Sequence, residues 1–134
     1  MFPFERLEVW KKAIDFNDEI LSLADLIGKK DQYSLGEQIR RASISITNNI
    51  AEGGGRSSKK EKAYFYNVAK GSVYEVVNLL EICERREHLD KDKHLRLCGE
   101  AEELAKMLSG LINSLDKFHL SSKLLTRYSK PRPT

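Results

Sequence analysis

An all-α fold, an antiparallel up-down-up-down four-helix bundle, follows from three observations on this 134-residue sequence. Four long stretches place apolar residues at alternating steps of four and three, which keeps their side chains on one face of a helix. Short polar or glycine-containing segments separate these stretches, so consecutive helices return antiparallel. No stretch alternates apolar and polar residues with the period of two that a half-buried strand requires.

The first helix runs from Leu7 to about Ile27 on a seam of Val9, Ala13, Phe16, Ile20, Leu23 and Ile27, with Gly28 expected as its C-cap. The second starts after a polar connector over 29–33. Ser34-Leu35-Gly36-Glu37 reads as a capping box, and Leu35, Ile39, Ala42, Ile46 and Ile50 form the seam. Gly53, Gly54 and Gly55 are expected to stop this helix near Glu52 by taking positive φ angles. The third helix begins at a second box, Ser58-Lys59-Lys60-Glu61, and reaches about Arg86 on Phe65, Ala69, Ser72, Val76, Leu79 and Cys83. Asp90 is the expected N-cap of the fourth, whose seam is Leu97, Ala101, Leu104, Leu108, Leu111, Leu115 and Phe118. The chain thus divides into a bundle domain over residues 1–118 and a basic, partly disordered tail over 119–134.

Charge is unevenly spread. From Lys117 onward there are five basic residues and no acidic one, while the preceding residues carry eighteen basic and twenty acidic side chains. The net charge of +3 therefore belongs to the tail. Arg40 and Arg41 on the second helix, and Arg56, Lys59, Lys60 and Lys62 around the glycine turn, suggest a basic patch at one end of the bundle. Together with Lys123 and Arg127 they are the candidate nucleic-acid-binding residues, because lysine and arginine on phosphates give affinity without reading sequence.

Enzymatic sites find no support. A carboxylate-bridged di-iron bundle needs E-x-x-H on two helices, and the residues three before the histidines are Arg85, Lys91 and Asp116. The turn lacks a Walker lysine and a preceding strand. His94 and Cys98 share a helix face, but two ligands fall short of the three or four that metal ligation takes, so no metal and no cofactor are expected. The two cysteines lie far apart on apolar faces and read as reduced core thiols. No apolar run is long enough to span a membrane, and the start lacks the order of a secretory signal, so the expected location is the cytoplasm. Asn49, Glu52, Ser72 and Glu75 sit on or beside apolar faces or the turn and are expected to serve structure, bonded to one another or to free backbone groups.

Three blocks carry a family resemblance: Phe4-x-x-Leu7-x-Val9-Trp10-x-x-Ala13; Gln38-Ile39-Arg40-Arg41-Ala42-Ser43-x-Ser45-Ile46 with Asn49-Ile50-Ala51-Glu52-Gly53; and Phe65 with Ala69-x-Gly71-Ser72 and Glu75. Over residues 4 to 118 the chain resembles the 23S rRNA intervening-sequence proteins. Thr47 stands where many members have proline, which implies a straighter second helix. The resemblance implies a homo-oligomer, typically a pentameric ring, encoded within insertions of ribosomal RNA genes. It extends to accessory bundles of diversity-generating retroelements, which bind a reverse transcriptase and its RNA. A surplus apolar row, Trp10, Ile14 and Leu21 on the first helix with Tyr66, Val73, Val77 and Leu80 on the third, is the expected oligomer interface. Function is expected to be that of an oligomeric scaffold contacting RNA or DNA phosphates, or of an adaptor for a protein partner such as a reverse transcriptase.

Overall fold

The structure is a computed structural model that describes the backbone of residues 1–127 and the side chains of 1–115. A 3-10 turn over Pro3–Arg6 leads into α1 (Glu8–Asp25), α2 (Glu37–Gly55), α3 (Lys59–Arg85) and α4 (Lys91–Arg127). The contacts α1–α2, α2–α3, α3–α4 and α1–α4 close the four helices into an antiparallel bundle. There is no strand among the described residues. The boundary expected at 118 falls within α4, and the side chains of the tail lie outside the described residues.

The 4-3 spacing translates directly into burial. Every expected seam residue of α1 is buried, as are Leu35, Ile39, Ala42, Ile46 and Ile50 along the second stretch. On α3 the seam from Ala69 to Cys83 is buried. Phe65, however, is only half-buried at the end of the bundle. Leu97, Ala101, Leu104 and Leu108 complete the core from α4.

The helix ends depart from expectation in three places. Ser34 caps nothing. The chain turns helical at Lys29–Asp31 and passes through a π-helical stretch, Gln32–Gly36, straight into α2. That wider turn points the Gln32 amide at the end of α1, where its Nε2 donates to the carbonyls of Ala24 (3.0 Å) and Ile27 (2.7 Å). Ala24 O also accepts from Ile27 N at 3.2 Å, so the amide adds a second bond there and reaches the Ile27 carbonyl just past the helix end.

The second departure concerns the glycines. None has a positive φ, and α2 continues through Gly55 rather than ending near Glu52. What Gly53 and Gly54 provide is proximity. A Cβ on Gly53 would lie 2.5 Å from Cε1 of Tyr66, and one on Gly54 2.8 Å from Cβ of Phe4. A Cβ on Gly55 would meet nothing within 4 Å. Gly28 likewise has φ of −58° and is no left-handed cap.

Third, the left-handed residue is Glu87, with φ of 66°. It ends α3 in a Schellman arrangement: Glu87 N donates to Glu84 O (2.9 Å) and His88 N to Cys83 O (2.9 Å). The two remaining starts are as expected. Ser58 Oγ accepts from Glu61 N at 3.1 Å, and Asp90 Oδ1 accepts from Lys93 N at 2.7 Å.

Candidate nucleic-acid interface

At the α2–α3 turn the glycines let α2 approach Tyr66 closely, and the chain reverses over Arg56, Ser57 and Ser58. Lys62 reaches back across this turn. Its Nζ donates to the carbonyls of Gly53 and Gly54, each at 3.2 Å, and so closes the C-terminus of α2. A lysine held this way satisfies backbone, and two of its three ammonium donors are already engaged. Arg56 is also ordered: Nη2 donates to Glu52 Oε2 at 2.7 Å, and the guanidinium sits 4.7 Å from the Phe65 ring centroid. It keeps an exposed edge, at 42% side-chain exposure. Lys60 is exposed in the first turn of α3, while Lys59 is half-buried. Arg56 and Lys60 thus present positive charge beside the N-terminus of α3, where the helix dipole adds to it.

Arg40 and Arg41 belong elsewhere. Fifteen residues of helix separate Arg41 from Arg56, about 22 Å at 1.5 Å per residue. Arg40 is consumed near the start of α2, where it bonds to Asp25 (3.1 Å), Gln32 and Glu37 (3.7 Å). A guanidinium with three internal partners positions the α1–α2 connection, and the single basic patch expected from the sequence is therefore divided. Arg41 is exposed. Lys123 and Arg127 carry side chains outside the described residues.

The candidate structural polar residues separate in the same way. Ser45 links two of them: its hydroxyl is 2.8 Å from Ser72 Oγ, and Asn49 Nδ2 donates to Ser45 O (2.8 Å) and Oγ (3.0 Å). This joins α2 to α3 through small side chains. A second link, Ser43 Oγ donating to Asn17 Oδ1 at 2.7 Å, joins α2 to α1. Glu52 is exposed and pairs with Arg56, while Glu75 is exposed rather than buried.

Of the expected oligomer interface, Tyr66, Val73 and Leu80 are 3%, 1% and 0% exposed within the single chain and serve its own core, Val73 at the edge of the α3–α4 groove. A bundle helix touches two neighbours, and its apolar face must be about twice as wide as one seam. Trp10, Ile14 and Val77 are half-buried. Trp10 is covered in part by Phe4, whose ring packs edge-on at 5.1 Å. Val77 lies with Tyr74, Ala101, Ala105 and Ser109 along an open groove of about 640 Å³ between α3 and α4.

The opposite corner of the bundle holds polar residues that composition and spacing do not reveal. Asp31 is buried and accepts from Arg86 Nε and His88 Nε2, both at 2.6 Å, while His88 Nδ1 receives Gly28 N at 3.4 Å. These bonds tie the α1–α2 connection to the α3–α4 corner. The Arg86 and His88 hydrogen bonds, more than their charges, hold the Asp31 carboxyl down at about 2, against an ordinary 3.8. A carboxyl whose pKa is lowered by folding stabilises the fold above its unfolded value, and that contribution disappears as pH falls through the folded value. Thermal melts from pH 6 to pH 2 should therefore show a constant gap between wild type and Asp31→Asn above about pH 4, closing between pH 4 and pH 2. A gap that persists at pH 2 would assign the effect to packing instead of charge.

Among the described residues no helix is long and apolar enough to cross a membrane. Burial, with the nearby charge of Asp31, pushes the Cys83 thiol up to about 11, which suits an inert core cysteine.

These features define a class, the small antiparallel four-helix bundles with hydrogen-bonded corners. More narrowly, the family model described as 23S rRNA-intervening sequence protein matches residues 5–110, and the chain belongs to that family. Among solved structures, it is similar to a protein of unknown function from the S23 ribosomal protein family of Bacteroides thetaiotaomicron VPI-5482. The two are 24% identical over 78% of this chain and 95% of that one, with a TM-score of 0.73, a likeness that shows the fold alone. No curated protein matches the chain.

Proposed function

We propose that the chain is a non-enzymatic scaffold that self-associates along the α3–α4 groove and holds nucleic-acid phosphates at the α2–α3 turn. The observation that carries this reading is the exposed pair Arg56 and Lys60 at the start of α3, beside Lys59. The direction of α4 supports it. This helix has 37 residues against 27 in α3, and its C-terminal half runs toward the same end of the bundle. The family description, which ties relatives to insertions in 23S rRNA, makes a structured RNA the first ligand to try. The groove supports self-association: Val73, Val77, Ala101 and Ala105 give it an apolar lining, and Glu102, Lys106 and Asn113 give it polar partners for a second copy. A pentameric ring is the assembly we propose for it.

The test is fluorescence anisotropy of a labelled structured RNA and a DNA duplex over a salt series. Wild type should bind at micromolar concentration or tighter, with an affinity that falls steeply as salt rises. The triple variant Arg56→Ala/Lys59→Ala/Lys60→Ala should bind more weakly and with a shallower slope, by roughly 0.7–0.9 per lost phosphate contact. Binding absent at low salt would end this reading and leave the groove, as a seat for a helix of a protein partner, as the functional surface.

A further inference from the structure

The corner between α3 and α4 brings together a second set of side chains. Glu81 and Glu84 lie one turn apart at the end of α3, and His94 lies in the first turn of α4. One ligand-type atom from each falls within 4.8 Å of the other two. His94 Nδ1 is 2.6 Å from Glu84 Oε1 and 3.7 Å from Glu81 Oε2. The other oxygen of Glu81, Oε1, is held by Arg85 Nε at 3.1 Å, which turns Oε2 toward the imidazole. Two carboxylates therefore converge on one ring nitrogen.

We propose that Glu81, Glu84 and His94 form a three-ligand site for a zinc-type divalent cation, with the fourth position open to water. The donor set is right for such an ion: imidazole nitrogen suits zinc and its first-row neighbours, whereas magnesium and calcium prefer all-oxygen shells. The spacing is close to right as well. Bonds of 2.0–2.1 Å at tetrahedral angles place ligand atoms roughly 3.3 Å apart, between the two distances seen here. In the ion-free structure His94 Nδ1 shares a hydrogen bond with Glu84 Oε1 at 2.6 Å, and an ion entering there takes the place of that hydrogen, with the imidazole hydrogen moving to Nε2. Access is open on one side and closed on the other: the Glu81 and Glu84 side chains are 47% and 32% exposed, His94 only 13%.

Both helix ends are already fixed. The Schellman turn at Glu87 and the Asp31–Arg86–His88 bonds set the α3–α4 corner, so the ligands meet on a preformed frame. Cys98, one turn beyond His94, stays outside the ligand set. Its sulfur is not one of the ligand atoms that converge at this corner.

The test is calorimetric titration of the chelator-treated full chain with Zn²⁺, and with Mg²⁺ for contrast. One Zn²⁺ per chain should bind, Mg²⁺ should not, and Zn²⁺ should raise the melting temperature. His94→Ala and Glu81→Gln should each weaken Zn²⁺ by at least about tenfold, and Cys98→Ser should leave it unchanged. The Glu81 side chain is half in solvent, so Glu81→Gln remains folded and informative even if His94→Ala is not. Co²⁺ in place of Zn²⁺ should give visible bands without a thiolate charge-transfer band. No heat of binding up to millimolar Zn²⁺, equal affinity in the His94→Ala and Glu81→Gln variants, or a thiolate band would each overturn the assignment.

Discussion

Gly53→Ala should destabilise the bundle by about 2 kcal/mol, while Gly55→Ala, two residues on, should leave it unchanged or up to about 1 kcal/mol more stable. The contrast rests on what each new methyl would meet. At Gly53 it would enter the Tyr66 ring, with Cε1 at 2.5 Å and Cδ1 at 2.8 Å, and that ring is 3% exposed and walled in by core. The ring cannot swing away as the end of a surface side chain would, so α2 and α3 must separate or the ring must leave its rotamer. Either response costs on the order of 1–3 kcal/mol in a packed interior. At Gly55 there is open space, the backbone is helical, and alanine loses less conformational freedom on folding than glycine. Chemical denaturation of both variants measures the difference. Had the glycines served as left-handed stops, both substitutions would be penalised; equal losses at 53 and 55 would restore that explanation.

The same pair shows where sequence reasoning reaches and where it stops. Steps of four and three identify which residues are inside, because helix geometry fixes the angle between them, and the seams of α1 and α2 are legible for that reason. Ser58 and Asp90 are legible as caps because each stands directly before its helix. Ser34 carries the same local signature, yet the π-helical turn beginning at Gln32 has already started the helix, a decision made by contacts with the end of α1. Three glycines in a row signal a break by composition alone. Their use as close-approach positions depends on Tyr66 and Phe4 arriving from elsewhere in the chain.

The basic residues are the least legible. Charge and spacing cannot distinguish Lys60, which stands in solvent, from Lys62, which closes α2, since only the return path of the chain decides which lysine faces the glycine carbonyls. The Glu81, Glu84 and His94 cluster had a partial signal. Two glutamates three apart near the end of one helix and a histidine early in the next meet whenever the two helices form a tight antiparallel corner. Seeking ligand sets within one helix missed it.

The second large effect separates core from interface. Leu80→Ala should cost about 2–5 kcal/mol, a large share of the 5–15 kcal/mol that stabilises a domain of this size. Leu80 is 0% exposed in the single chain, so the loss is that of the chain's own core and should lower the melting temperature at any protein concentration. Val77→Glu should behave in the opposite way. Val77 is half-buried on the groove between α3 and α4, beside Tyr74 and the small residues of α4. A glutamate there can extend into solvent, so the far-ultraviolet spectrum and the helical fold should persist. Facing a second copy it would be desolvated, and the groove's Lys106 is already paired with Glu102 at 3.3 Å, so the cost is several kcal/mol and association should fail. Light scattering at micromolar concentration reads the outcome: an oligomer for wild type, and a folded species near 15 kDa for Val77→Glu. A wild-type monomer would remove self-association from the proposal, whereas an intact Val77→Glu oligomer would move the interface to the Trp10 and Ile14 face of α1.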